Sequence, residues 1–438
     1  MNPHAAAKPH VTPSGTENSR QTLKFDRRGA VDTLCESIVL KALKKMQVGK
    51  LRLILDNGSE FLIGDSSADE SASIRVMNGA FFKKCVLYGD IGFGEAYVDG
   101  DWETDDIQAV IRWLISNIES APAMSGSSAS KRMMNLLASL NRIYHLLRPN
   151  SLQNSPANIS EHYDLGNEFY GLFLDRSMTY SSALFRSEGD NLEEGQEAKY
   201  ERLCQKLRLR KSDHVLEIGC GWGGFCCYAA QRYGCRITAI TISEEQLKFA
   251  RAQVQREGLC DLVDVRLCDY RQMKGSFDKI ASIEMLEAVG HQYLEIFFEK
   301  CASLLKKDGL LGVQMITCPD SRYEELRKGV DWIQKHIFPG SLLLSVGRVN
   351  QAINRTGDLF LSDLKDMGSS YVRTLRLWRN RFNSNHDALH QLGFDAGFIR
   401  KWNYYFSYCE AAFAMRNISV VQALYTRPNN LSLVEVKK

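Results

Sequence analysis

The residues best suited to chemistry in this 438-residue chain gather at one turn, Val215-Leu-Glu-Ile-Gly-Cys-Gly-Trp-Gly-Gly224. Strand-compatible residues run into four glycines, and Phe225, Tyr228 and Ala229 continue at helical spacing, which predicts strand, tight loop and helix. Glycine takes positive φ and lets a backbone press against a ligand. With Glu217 just upstream, Gly219, Gly221 and Gly223 depart from the dinucleotide fingerprint Gly-x-Gly-x-x-Gly. The turn suits a cofactor carrying a ribose and an amino-acid tail better than one carrying a pyrophosphate. Further along, Gln246 and Asp269 taken alone read as an exposed helix residue and a strand-end cap, although an amide four residues into a helix can reach ribose hydroxyls and a carboxylate can accept from an exocyclic amine. Metal chemistry finds no support: the twelve cysteines are scattered, and His291 has no partner at ligand spacing.

Positioning these groups requires an alternating framework. Strands are expected at 236–240, 263–267, 277–283 and 310–316, with helices at 192–207, 243–257 and 293–305. Strands separated by helices predict an α/β fold with a parallel, doubly wound sheet, in which ligands sit at the carboxyl ends of the strands. That rule brings 217–223, 241–246, 269–270 and 284–287 around one crevice. The connection 318–346, with Trp332 and Phe338-Pro-Gly340, is too long for a simple link and is expected to cover the crevice. A last strand is expected at 418–425.

Ahead of this domain, assigned to 158–438, the chain divides into a disordered tail (1–28), a small α+β domain (29–119) and a linker (120–157). Asn57-Gly58 between two apolar runs predicts a hairpin, and the glycine-punctuated stretch 90–102 separates two helices. Within the linker, 131–148 has a Met/Leu/Ile face ringed by Lys131, Arg132, Arg142 and Arg148, which fits either a lipid-surface helix or an ordinary interdomain helix. A net charge of +3 is too mild for nucleic acid but compatible with an anionic membrane surface. Scattered cysteines and the lack of a long apolar run point to a cytoplasmic protein, soluble or peripherally membrane-associated.

In Glu161-His-Tyr-Asp-Leu-Gly-Asn-Glu-Phe-Tyr170, Met178-Thr-Tyr-Ser-Ser-Ala183, the glycine turn and Ser282-Ile-Glu-Met-Leu-Glu-Ala-Val-Gly-His291, the chain resembles the cyclopropane-fatty-acyl-phospholipid synthases. These are S-adenosylmethionine-dependent enzymes related to the mycolic acid cyclopropane synthases. Gly94-Glu-Ala-Tyr-Val-Asp-Gly-Asp-Trp102 extends the likeness to the small N-terminal domain of the longer members. The resemblance implies a class I, Rossmann-like methyltransferase fold that adds a methylene unit to the cis double bond of an unsaturated phospholipid acyl chain at a membrane surface. A methyl- or methylene-branching enzyme and a small-molecule N-methyltransferase stay open as alternatives, as does a homodimer.

Carried over by position, the resemblance puts Tyr180 and Ser181 near the methionine moiety of S-adenosylmethionine. It puts Glu217, Gly219, Gly221 and Gly223 in the close-approach turn, Thr241, Ile242 and Gln246 at the ribose, and Asp269 and Tyr270 at the adenine. It also implies a bound bicarbonate as base, held by Glu287, Tyr371, Gln314 and the backbone of Ser182 and Ile316. Two positions depart from the family: Gln314 stands where His is common, and Ser182 where Cys is usual. Cys409 matches a family cysteine and is read as a pocket-lining thiol. Tyr163, Phe169, Tyr170, Trp332, Trp378, Tyr404, Tyr405 and Phe406 are candidate walls of an acyl channel.

Overall fold

The computed structural model describes residues 29–69, 71–118 and 165–433. The expected tail at 1–28, the linker helix at 131–148, and the start of the 161–170 motif with Tyr163 lie outside the described residues.

The first unit is a four-stranded sheet in the order β2-β1-β3-β4. In β1 (Lys50–Ile54), buried Leu51 and Leu53 alternate with exposed Arg52, so one face is committed to a core. β2 (Glu60–Gly64) returns antiparallel across Asn57-Gly58, as expected, with Gly58 at φ 82. β3 (Ser71–Val76) lies parallel to β1, and β4 (Trp102–Glu103) closes the edge.

The glycine-rich stretch after residue 90 is not irregular. It continues one helix, Ala80–Val98, kinked at Gly89 (φ 60, ψ −129). Gly92 and Gly94 serve close approach instead of turning. A Cβ on Gly92 would lie 2.1 Å from the Lys84 carbonyl oxygen, and one on Gly94 would lie 2.5 Å from Trp332 Cδ1. Glycine marks a turn and a tight contact with the same letter.

The second unit is a seven-stranded sheet in the order β10-β11-β9-β8-β5-β6-β7. Its strands are β5 (His214–Ile218), β6 (Arg236–Thr241), β7 (Val263–Leu267), β8 (Phe277–Ile283), β9 (Leu305–Thr317), β10 (Phe360–Asp366) and β11 (Ser419–Thr426). The run β7-β6-β5-β8-β9 is parallel, but β11 pairs antiparallel with β9 and β10 antiparallel with β11, so the sheet is mixed. β10 went unpredicted because it is a mostly exposed edge strand whose Asp363, Lys365 and Asp366 look like a loop. The helix Leu192–Leu207 starts on a capping box, in which Asn191 accepts from the Glu194 amide while the Glu194 carboxylate accepts from the Asn191 amide. The helix expected over 161–174 is shorter where described, covering Asn167–Gly171.

The two units share one apolar core, which runs from Leu51 and Trp102 through Trp332 to Tyr404 and Phe406. The helix Ala396–Ala414 joins them by packing on Ala80–Val98 and Ile107–Ser116. Its Arg400 donates to the carbonyls of Tyr97 (2.7 Å) and Trp102 (3.0 Å), and its guanidinium lies over the Tyr97 ring.

Candidate active site

A cavity of about 490 Å³ opens at the carboxyl ends of the parallel strands and extends to the first unit. At one end is the turn after β5. Gly219 (φ 81), Gly221 (φ 53) and Gly223 (φ 94) all occupy the left-handed region that disfavours side chains. The amides of Gly219 and Cys220 both donate to the Ile240 carbonyl, tying the turn to β6. Only part of the turn faces the cavity. Gly221 borders open space, whereas a Cβ on Gly219 would lie 2.5 Å from Met285, and one on Gly223 would lie 3.1 Å from Ala250. Gly223 does not line the cavity: it lets two helices approach, which corrects its placement as a ligand contact.

Tyr180, Ser181, Glu217, Thr241, Ile242, Gln246, Asp269 and Tyr270 all line the same cavity. Glu217 is buried, and its Oε2 has no hydrogen-bond partner. Desolvation pushes this carboxyl up to about 8, against a contact from Cys226 and the charge of Lys199. A buried acceptor without a donor fits a ligand ammonium. Thr241 Oγ1 donates to Gln246 Oε1 (2.8 Å), which leaves the Gln246 NH2 as a donor. Asp269 is less free than expected. Its Oδ1 accepts from the Arg271 amide (2.9 Å) and Nε (2.8 Å), and its Oδ2 from Arg271 Nη2 (2.6 Å). Arg271 was missed in the sequence although it stands only two residues away.

The far wall is apolar and comes partly from the first unit, through Ile111, Leu114, Ile115 and Ile118. The covering segment 318–346 contributes Ile333, Phe338 and Leu342. It leaves and rejoins the sheet at one place, where the Cys318 amide donates to Leu344 (2.7 Å). Its outer side is held to the first unit by Glu95, which accepts from Lys335 (2.6 Å) and His336 (2.9 Å). Of the aromatic residues proposed as channel walls, Tyr404 and Tyr405 line the cavity. Phe169, Tyr170, Trp332, Trp378 and Phe406 do not, because they interlock edge to face in the core behind it. Cys409 lines the cavity as a neutral thiol, its pKa pushed far up by burial.

The residues assigned to bicarbonate converge, but on another group. Glu284 Oε1 accepts from the Ser182 amide (2.9 Å) and Gln314 Nε2 (2.7 Å), and Glu284 Oε2 accepts from the Tyr371 hydroxyl (2.9 Å). The fourth donor, the Ile316 amide, is taken by Glu287 Oε1. Ser182 and Gln314 are fully buried behind Glu284 and do not line the cavity. Tyr371 and Glu287 therefore do not form one anion cage, and the residues present do not fit a bound bicarbonate. Gln422, opposite Gln314 across β9 and β11, donates to Gln314 Oε1 (3.0 Å) and so turns the Gln314 NH2 toward Glu284.

Besides Arg271, two charged groups of this site were not singled out in the sequence. Glu284 fell inside the expected crevice segment but received no role. Its nearness to Glu287 is readable from the three-residue spacing at a strand end. Lys199 is fully buried, and its Nζ donates to Ser181 Oγ (2.7 Å). Its signal is its place on a stripe with Leu192, Gln196, Leu203 and Leu207, all buried. Burial drives the Lys199 ammonium down to about 7, opposed by the charges of Glu284, Asp175 and Glu217. Burial and then the nearby Glu284 charge push Glu287 up to about 8.

A parallel sheet with a glycine turn after its central strand, a buried acidic residue before the turn and a Thr/Gln pair after the next strand defines an S-adenosylmethionine-dependent methyltransferase. The family model described as mycolic acid cyclopropane synthetase matches residues 150–423. The chain is 34% identical over 383 residues to the tuberculostearic acid methyltransferase UfaA1 of Mycobacterium tuberculosis, covering 85% of this chain and 86% of that protein. It is 34% identical over 362 residues to the cyclopropane-fatty-acyl-phospholipid synthase of Escherichia coli K12, covering 81% and 88%. The structure of mycolic acid cyclopropane synthase CmaA1 complexed with SAH and CTAB aligns with a TM-score of 0.57 and 27% identity, over 62% of this chain and 98% of that one. The chain belongs to the mycolic acid cyclopropane synthetase family, and it is a lipid-modifying methyltransferase of the cyclopropane-fatty-acyl-phospholipid synthase type.

Proposed function

We propose that the enzyme adds one carbon from S-adenosylmethionine to the cis double bond of an unsaturated phospholipid acyl chain and closes a cyclopropane ring. The observation that carries this reading is the continuity of one cavity, from the unpartnered Glu217 carboxyl at the glycine turn, past Glu284 and Glu287, to an apolar wall of Ile111, Leu114, Ile115 and Phe338. A small amine substrate has no use for that wall. S-adenosylmethionine, when bound, supplies an electrophilic methyl on a sulfonium.

In this reading Glu217 accepts from the donor's ammonium, Thr241, Ile242 and Gln246 border its ribose, and Asp269, Tyr270 and Arg271 border its adenine. Tyr180 and Ser181 approach the methionine end. An alkene is a weak nucleophile, so the main work of the protein is to hold the double bond in line and keep water out. The covering segment and the Ala396–Ala414 helix do this. The rings of Tyr180, Phe338 and Tyr405, with centroids 6.1 Å and 5.8 Å apart along this stretch, present faces that favour a developing cation. Among the described residues no helix is long and apolar enough to cross a membrane.

The test is incubation with isotope-labelled donor and vesicles of a cis-monounsaturated phospholipid, followed by mass and proton NMR analysis of the acyl chains. Ring protons on chains heavier by one CH2 are expected. Vinylic methylene protons would assign the branching reaction instead, and label found only on an added amine would end the lipid reading.

A further inference from the structure

We propose that Glu284 is the general base of this reaction, its carboxylate filling the place of a bound anion, so that turnover needs no bicarbonate. The inference deepens the ring-forming reading and rests on it.

Three observations point the same way. First, Glu284 lines the cavity while collecting the Ser182 amide, Gln314 Nε2 and the Tyr371 hydroxyl. A carboxylate has about four acceptor positions. Three are filled, which leaves one on Oε2 for a substrate C–H. Second, Glu284 sits at φ 48, a left-handed conformation that is unfavourable for a non-glycine residue. The chain holds this side chain in place against its backbone preference, and the Glu284 amide is fixed to the Gln314 carbonyl (2.8 Å). Third, the other candidates are less suited. Glu287 Oε1 accepts from the Ile316 amide while its Oε2 has no partner, and burial, then the neighbouring Glu284 charge, hold its proton up to about pH 8. Tyr371 is a donor whose ionisation is pushed far upward by burial and by Glu284. Although burial also raises Glu284, its three donors and the Lys199 charge act against that rise and favour its anionic form.

The step balances. The alkene π pair bonds to the donor's methyl carbon as the carbon–sulfur bond breaks and its pair stays on sulfur, giving a neutral thioether and a carbocation. Glu284 takes one proton from the new methyl group. The electron pair of that C–H bond closes the third ring bond, and the proton leaves Glu284 for water after product departs.

The experiment compares wild type and E284G on the same vesicles, in carbon dioxide-free buffer and with added bicarbonate or formate at constant pH. Glycine is chosen because it accepts the backbone at φ 48 and uncovers the three donors. Wild-type turnover should be the same within about twofold in every buffer, whereas E284G should lose about 100-fold or more. Bicarbonate or formate should restore E284G about tenfold by occupying the vacated donors, and its affinity for S-adenosylhomocysteine should stay within about threefold of wild type. A wild type that needs bicarbonate would overturn the base assignment alone. So would an E284G enzyme of near-normal rate, or one that binds S-adenosylhomocysteine normally yet is rescued by no small carboxylate. A wild type that forms no lipid product in any buffer would overturn the ring-forming reading and this inference with it.

Discussion

In the proposed site, the buried carboxyl of Glu217, whose Oε2 has no partner, makes donor binding pH-dependent. Burial raises the group to about 8, so in the free protein it keeps its proton below that pH. A ligand ammonium favours the ionised form, so binding below pH 8 must expel the proton. The ionised fraction is about 1% at pH 6 and about one half at pH 8. If only the ionised form accepts the ammonium, affinity improves about 50-fold over that interval, or about 2 kcal/mol. S-adenosylhomocysteine is the suitable probe, because it keeps the ammonium and lacks the sulfonium charge. Titration calorimetry in two buffers of different ionisation enthalpy should show close to one proton released per ligand near pH 6, and E217Q should bind weakly with no pH slope. A wild-type affinity flat within twofold from pH 6 to 8, or a slope that survives in E217Q, would refute the assignment of Glu217 to the ammonium.

Two further outcomes follow from packing and burial. Trp332 is 1% exposed, wedged between Gly94 and the Tyr404 ring at 4.7 Å, so W332A should cost about 3–5 kcal/mol in denaturant unfolding; a loss under 1 kcal/mol would show that the covering segment does not depend on this contact. Cys409 is a thiol pushed far above its ordinary range, whereas Cys260 is exposed. Peptide mapping after brief alkylation at pH 8 should find Cys260 modified and Cys409 intact, because the thiolate is the reactive form. Equal labelling would reopen a nucleophilic role.

The parallel framework was legible because it is written in period and punctuation. β7 and β8 fall on the residues expected, since β7 alternates apolar Val263, Val265 and Leu267 with charged residues and β8 carries Phe277, Ile280, Ala281 and Ile283. β10 was not legible, because an edge strand with one exposed face carries the charges of a loop. The kinked helix Ala80–Val98 was not, because Gly92 and Gly94 answer to partners, Lys84 and Trp332, that a local pattern does not contain. In the site, the strand pattern placed the glycine turn and the segment 241–246 at the crevice, whereas the ribose role of Thr241 came from resemblance. Tyr371, Gln314 and Ser182 were brought together by resemblance, and they do meet. What they meet is Glu284, and that depends on a backbone at positive φ which turns one carboxylate of a Glu-x-x-Glu pair inward. Spacing placed both glutamates at the crevice and could not rank them.

The buried charges explain why such a ranking matters. Around the buried Lys199 amine stand the carboxyls of Glu284, Asp175 and Glu217, and Glu287 lies beside Glu284. Burial raises Glu217 and Glu287 to about 8 and lowers Lys199 to about 7, so the site sheds charge rather than holding it. Three ionised carboxylates against one ammonium would carry a large desolvation cost. The donor brings an ammonium, a sulfonium and a carboxylate, a net charge of +1, which the ionisation of Glu217 offsets. In the proposed reaction Glu284 is the carboxylate placed for proton transfer, held by Ser182, Gln314 and Tyr371. In that proposed reaction the positive charge passes from sulfonium to carbocation, and then leaves the carbon chain as the proton on Glu284. At each stage it has the Glu284 carboxylate as its counter-charge inside the cavity, so no charged species has to enter or leave while the acyl chain covers the site. A mobile anion would have to cross that apolar cover, or be trapped beneath it, in every catalytic cycle. A side chain already fixed by Ser182, Gln314 and Tyr371 removes that requirement.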